Sequence, residues 1–253
     1  MKFKGTALMA AVFLSLVLYY FFVDLPALQK ENSEKELADK ILPLDAKKVV
    51  EFSLTRNGKP ITLRRTGPNN WGLTQPLSSP GDSTEAEAFI SEIEALKKTR
   101  VVEENPKDLS IYGLGSPFMK IHFNIENKTS ETLLIGDESP MGGGLYFKRE
   151  SHPAVMMALA SQSQFQKSVY NFRDKTLLSF STGNIKRIKI NREAHPLELV
   201  KKDDVWKVSG ALGAKGDKDA IMKFLQSIQF SKIQEFVDEN PDSLELYGLH
   251  PPK

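Results

Sequence analysis

The segment from Trp71 to Pro117 returns from Trp206 to Pro252, and a chain with such a duplication has to solve the same folding problem twice. The two stretches align at an offset of 135 residues without a gap, and sixteen of the 47 positions are identical. Gly81/Gly216, Asp82/Asp217, Phe89/Phe224, Ile93/Ile228, Asn105/Asn240, Pro106/Pro241, Leu109/Leu244, Tyr112/Tyr247, Gly113/Gly248 and Leu114/Leu249 are among the matches. Upstream the offset is 136, with Phe52/Ile188, Leu54/Ile190, Arg56/Arg192 and Pro60/Pro196 aligned, so one residue is lost in the short loop before the Trp. The shared positions are mainly apolar, Gly and Pro, which shape a core and its turns. The repeat therefore points to two copies of one fold, not two copies of a catalytic site. The first domain is expected over residues 46–180 and the second over 181–253. The second lacks a counterpart of 118–180. A β-rich half without its partner strands exposes an open edge, so the expectation is an incomplete second copy. A chain that is a fragment of a longer protein accounts for this more simply than strands supplied by another polypeptide.

Within the first copy the period of the apolar residues changes along the chain. Val50, Phe52 and Leu54 alternate with polar residues, Ile61 and Leu63 follow, and Asn57-Gly58 between them is a hairpin turn signal. Residues 71–74, "WGLT", supply a third short strand. Ala86, Phe89, Ile90, Ile93 and Leu96 fall at helical spacing after Asp82, a helix N-cap. In "NPKDLSIYGL", Asn105 is read as an N-cap, Pro106 as the first helical residue and Gly113 as the left-handed end of one capped turn. After Pro117 come "FMKIHFNIE", "ETLLIGD", "GLYFKRE" and "AVMMAL", which read as strands, then a short helix over 161–172. The fold class is α+β, an antiparallel sheet with helices.

Ahead of this lies a different segment. Thr6 to Val23 is 18 residues without a charge, preceded by Lys2 and Lys4 and closed by Tyr19, Tyr20, Phe21 and Phe22. About 20 apolar residues span a bilayer as a helix. The flanking lysines place the N-terminus in the cytoplasm, and the aromatic cluster suits the membrane interface. Residues 1–24 are read as an anchor, with a cleaved signal peptide as the rival reading. Residues 25–45 are charged and helix-prone, and read as a polar stalk. The bulk of the chain is then periplasmic or extracellular, behind a single pass through the inner membrane.

Thirty-four basic against 32 acidic residues give a net charge of +2, with no dense Lys/Arg block to argue for nucleic acid. The absence of cysteine excludes disulfides, thiolate nucleophiles, Cys-ligated zinc and N-terminal Cys lipidation. His122, His152, His195 and His250 form no paired zinc motif, so neither metal nor cofactor is expected. Residues 136–144, "GDESPMGGG", lack the Lys-Ser/Thr and the following helix of a phosphate loop. They read as a flexible hairpin connection. If anything binds there, the backbone N–H groups of Gly142, Gly143 and Gly144 are the contact. Asp82 and Asp217 recur, but helix capping explains both. Glu103-Glu104 recurs as Asp238-Glu239, without the loop of a calcium site.

The order W-x-L, helix, YGL-x-x-P, "LLIGDESPMGGGLYFKRE", "FRDKTLLSF" and a restart with "IKRIKI" resembles the bacterial domain of unknown function 4340 family over most of residues 46–252. The resemblance implies an extracytoplasmic α+β domain, commonly repeated, behind one N-terminal anchor. It also implies a genetic neighbourhood of ABC-2-type exporters with gliding-motility-like auxiliary subunits, and offers no catalytic residues to carry over. The expected function is a non-enzymatic, membrane-anchored binding or scaffold protein with transporter subunits as partners. The alternatives are an envelope glycan hydrolase, using acids such as Glu103, Glu104 and Asp174, or a ligand sensor.

Overall fold

The computed structural model describes residues 3–191, 196–210 and 214–250. Lys2, Arg192, His195 and Pro252 lie outside the described residues. The chain divides into two compact units, Met1–Arg173 and Asp174–Lys253.

The first unit begins with one continuous helical rod: α1 (Phe3–Tyr19), a π-helical stretch (Tyr20–Asp24) and α2 (Leu25–Asp39). Among the described residues, one helix is long and apolar enough to cross a membrane, and it lies in this rod. None of the described side chains of that span is buried; Phe13, for example, is 69% exposed. The α2 part buries no residue and carries Lys30–Glu34 and Lys35–Glu31 pairs one turn apart. Such exposed pairs contribute only a few tenths of a kcal/mol each. The expected stalk over 25–45 is shorter in the structure. The helix stops at Asp39, and Ile41, Leu42 and Leu44 are buried in the core of the unit. Three large apolar side chains gain more from burial than from prolonging a solvated helix. Ile41 N–H also finds a partner there, the Leu96 carbonyl at 2.9 Å.

The body of the unit comprises β1 (Val49–Arg56), β2 (Lys59–Gly67), β3 (Asn70–Gln75), β4 (Ser79–Pro80), α3 (Ser83–Ala95), β5 (Arg100–Glu103), β6 (Met119–Ile125), β7 (Thr129–Glu138), β8 (Leu145–Arg149) and β9 (Val155–Ala158). Two short helical turns follow, α4 (Gln162–Phe165) and α5 (Val169–Phe172), where the sequence suggested one helix over 161–172. The strands form a nine-stranded antiparallel sheet in the order β4-β3-β2-β1-β6-β7-β8-β9-β5. α3 thus carries the chain from one edge of the sheet to the other. Asn57 and Gly58 both take positive φ, 51° and 74°, as a two-residue hairpin turn requires. Asp82 caps α3 by accepting Glu85 N–H at 3.1 Å.

One face of the sheet packs on α3, α5 and residues 41–46. Phe52 is its hub. Its ring lies 5.3 Å from Trp71, 5.7 Å from Phe89, 5.7 Å from Phe172 and 6.3 Å from Phe123. β7, β8 and β9 are buried on both faces. Leu133, Ile135, Leu145, Phe147, Met156 and Ala158 join the Phe52 core, while the alternating Leu134, Tyr146, Val155 and Met157 form a second cluster with Leu114 on the far face.

The second unit holds β10 (Arg187–Ile190), β11 (Leu197–Lys202), β12 (Val205–Val208) and α6 (Lys218–Gln229), with the strands antiparallel in that order. Leu199, Trp206, Ile221 and Leu225 make its core, and Phe180 packs against them. Asp217 caps α6, accepting Asp219 N–H at 2.9 Å and Ala220 N–H at 3.1 Å.

Phe52→Ala removes the shared neighbour of four rings. It is expected to cost the first unit about 3–5 kcal/mol. Urea unfolding followed by Trp71 fluorescence in a Trp206→Phe background should shift to lower denaturant. The transition reported by Trp206 in a Trp71→Phe background should stay in place.

Candidate functional site

Three features of the first unit are the candidates: the segment over the far face of the sheet, the glycine loop between β7 and β8, and the cavity at the foot of α2.

The far-face segment is residues 105–114. No helix starts at Asn105. The only helical turn in it is a 3-10 turn at Ser110–Tyr112, and just ahead of it Asp108 Oδ1 accepts Ser110 N–H at 2.8 Å and Ser110 Oγ–H at 2.6 Å. An Asp two residues ahead of an amide competes with helix by forming this local ring. The end of the turn is as the sequence suggests. Gly113 is left-handed at φ 65°, and Leu114 N–H returns to the Leu109 carbonyl at 3.0 Å. Tyr112 stands 5.0 Å edge-on from Tyr146 and donates its hydroxyl to Glu103 Oε2 at 2.7 Å. That bond to a carboxylate, with smaller help from desolvation, pushes the Tyr112 phenol above its ordinary range. Gly136 of β7 is what lets the segment sit so close, since a Cβ there would collide with the Tyr112 carbonyl oxygen.

Gly142, Gly143 and Gly144 form the β7–β8 connection, with φ of 76°, 92° and 128°. Gly142 N–H donates to the Ser139 carbonyl and Ser139 N–H to the Gly144 carbonyl, both at 2.9 Å, so two amides of the loop are spent inside it. A side chain at Gly144 would drive into the backbone of Ala158 on β9. The loop is followed by a strand, so no helix N-terminus reinforces it. Met141 at its tip is exposed.

Other residues singled out in the sequence have local partners. His122 is not a free surface histidine. It is part-buried between Thr132 Oγ1 at 2.9 Å and Asn124 Oδ1 at 3.2 Å. Trp71 is buried and donates Nε1–H to Glu87 at 2.8 Å, with the Arg65 guanidinium over its ring at 4.6 Å. Of the candidate acids, Glu103 is engaged by Tyr112, Glu104 is exposed, and Asp174, in the second unit, accepts Thr176 N–H at 2.9 Å. Among the described residues no group of three or more His, Asp or Glu is arranged to hold a metal ion.

The cavity at the foot of α2 holds about 460 Å³. It is lined by Leu37 and Lys40 from the end of the rod, Lys98 ahead of β5, Glu104 after it, and Arg149 and His152 from the β8–β9 turn. Beyond the neighbours Leu37 and Lys40 and the neighbours Arg149 and His152, nothing in the sequence groups these residues, because the end of the rod, β5 and the β8–β9 turn are brought together only by the fold. A second cavity, about 690 Å³, lies between Lys47, Arg65, Asn69 and Glu87, where Arg65 is already bound to Glu87 at 2.8 Å and to the carbonyls of Val49 and Pro68.

A family model described as Domain of unknown function (DUF4340) matches residues 71–252. No curated protein and no solved structure matches the chain.

The raised Tyr112 phenol has a definite pH signature. It stays protonated further into the alkaline range than in the unfolded chain. Its bond to Glu103 therefore stabilises the fold fully below pH 10.0, the ordinary phenol value, and is lost as pH rises through the higher folded value. Tyr112→Phe should be less stable than the parent at pH 8, by no more than about 1 kcal/mol for so accessible a bond. In thermal melts taken from pH 8 to 12, that gap should narrow.

Proposed function

The chain belongs to the family described as Domain of unknown function (DUF4340), and on that footing we propose that it is a non-enzymatic, membrane-anchored binding or scaffold protein whose folded units lie outside the cytoplasm. The observation that carries this reading is the N-terminal rod. Among the described residues its apolar part is exposed from Val12 onward, and it runs directly into a charged helix that buries nothing. Left in water, such a surface is a liability; in a bilayer it is an anchor. The lysines at positions 2 and 4 orient it with the N-terminus inside, in the inner membrane. The α2 helix then holds the β-sheet unit off the surface. The partner class we propose is the membrane or auxiliary subunit of an ABC-2-type, gliding-motility-like export system, which is what the family resemblance implies.

The same reading takes the chain beyond the stalk as two tandem copies of one module, over 46–180 and 181–253. Paired details support it. Gly81 N–H meets the Trp71 carbonyl at 3.0 Å, and Gly216 N–H meets the Trp206 carbonyl at 2.8 Å. Tyr112 donates to Glu103, and Tyr247 donates to Asp238 at 2.9 Å. Leu114 returns to Leu109 and Leu249 to Leu244, both at 3.0 Å. The Gly142–Gly144 loop, with exposed Met141 at its tip, is the proposed partner contact in the first copy.

A photo-crosslinking amino acid placed at Met141 in the full chain, in cells, tests the partner. Adducts to ABC-2-type membrane or auxiliary subunits are expected; adducts confined to the bait would sink the assignment. Deleting residues 1–24 should release the chain from carbonate-washed membranes, and retention of the deleted chain would remove the anchor.

A further inference from the structure

The cavity at the foot of α2 has more cation than its own residues neutralise. Lys40 is paired with Glu94 at 3.6 Å. Among the described residues neither Lys98 nor Arg149 has a carboxylate partner, and Glu104 is the only acid in the lining. Arg149 Nε is shielded from solvent and makes no hydrogen bond. That N–H is closed to the cavity as well, so what Arg149 brings to the lining is the positive charge of its guanidinium, which suits an oxyanion. His152 supplies a further donor. Its Nδ1 accepts Ala154 N–H at 3.2 Å, so the neutral ring keeps its proton on Nε2. The turn that presents Arg149 and His152 is held from behind, because Lys148 Nζ donates to both of their carbonyls, at 3.0 and 2.8 Å. Donors held in place before the ligand arrives lose little freedom on binding it.

We propose that this cavity is a binding site for the phosphate group of a soluble phosphorylated solute. Lys98 comes from the segment ahead of β5, and Arg149 and His152 from the end of β8 and the turn after it; donors on three side chains suit an anion with three outward oxygens better than a two-oxygen carboxylate. Buried Ala154 and Met156 make an apolar floor, which strengthens each charge interaction by excluding water. The volume of about 460 Å³ leaves room for an organic body beside the phosphate, against Leu37 and Met156. A lipid headgroup offers the same chemistry. However, α2 rises about 22 Å over its fifteen residues, which holds the cavity beyond the headgroups of the bilayer that α1 enters. That choice of source rests on the anchor reading of the preceding section; the phosphate site itself does not.

The test uses the full chain in phosphatidylcholine nanodiscs, titrated calorimetrically with inorganic phosphate and with phenyl phosphate. Saturable binding is expected, tighter for phenyl phosphate. Arg149→Gln and Lys98→Gln should each weaken it by about tenfold or more, the size of one charged hydrogen bond. Lys120→Gln, at an exposed position of β6, should leave it unchanged. No saturable binding, or equal losses in all three variants, overturns the site. If Arg149→Gln loses its near-ultraviolet dichroism, Lys98→Gln decides alone. Phenyl phosphate binding that disappears in discs containing phosphatidate would hand the site to the bilayer and overturn the soluble source.

Discussion

A sheet with apolar residues on both faces needs two covers, and this requirement organises the first unit. Leu134, Tyr146, Val155 and Met157 alternate with residues of the Phe52 core, so β7–β9 present an oily surface on each side. α3, α5 and residues 41–46 close one side. The other is closed by a short irregular segment, residues 105–114, that contains almost no regular structure. Its fit depends on the bare backbone of Gly136, against which the Tyr112 carbonyl lies. The order of the sheet follows from the same requirement. With β5 at the edge beside β9, the chain that leaves it is delivered directly over the face that must be covered.

Much of this was legible in the sequence because it is written locally. The hairpin at Asn57-Gly58, the caps Asp82 and Asp217 and the left-handed Gly113 each follow from a few adjacent residues. The misreadings are places where distant contacts or a local competitor won. Residues 41–44 looked like the tail of a charged stalk, yet Ile41, Leu42 and Leu44 belong to the core, because the sheet offers them a buried site. Asn105-Pro106 looked like a helix start, but the Asp108 carboxylate captured Ser110 first. His122 shows no partner in the sequence, and it is the strand register that sets Thr132 beside it.

Sites follow the same rule. The glycine loop stands out in the sequence, and in the structure each of its glycines answers to backbone geometry, with Gly144 fitted against β9. The cavity at the foot of α2 left no trace in the sequence. Lys98 meets Arg149 and His152 around one cavity only once β5, β9 and β8 are neighbours. Charge that is unremarkable along the chain becomes unbalanced when it is gathered in space.

The segment ending in Tyr-Gly-Leu occurs in two settings. Leu114 is 3% exposed under the far face of its sheet, whereas Leu249 is 58% exposed. Both nevertheless keep the same turn, the same returning amide and the same tyrosine-to-acid bond. The same local bonds thus recur around a buried leucine and an exposed one. Such a segment behaves like a cork cut before the bottle is chosen. Its own turn, returning amide and tyrosine-to-acid bond satisfy the backbone locally, which leaves its apolar side chains to close the two-sided sheet.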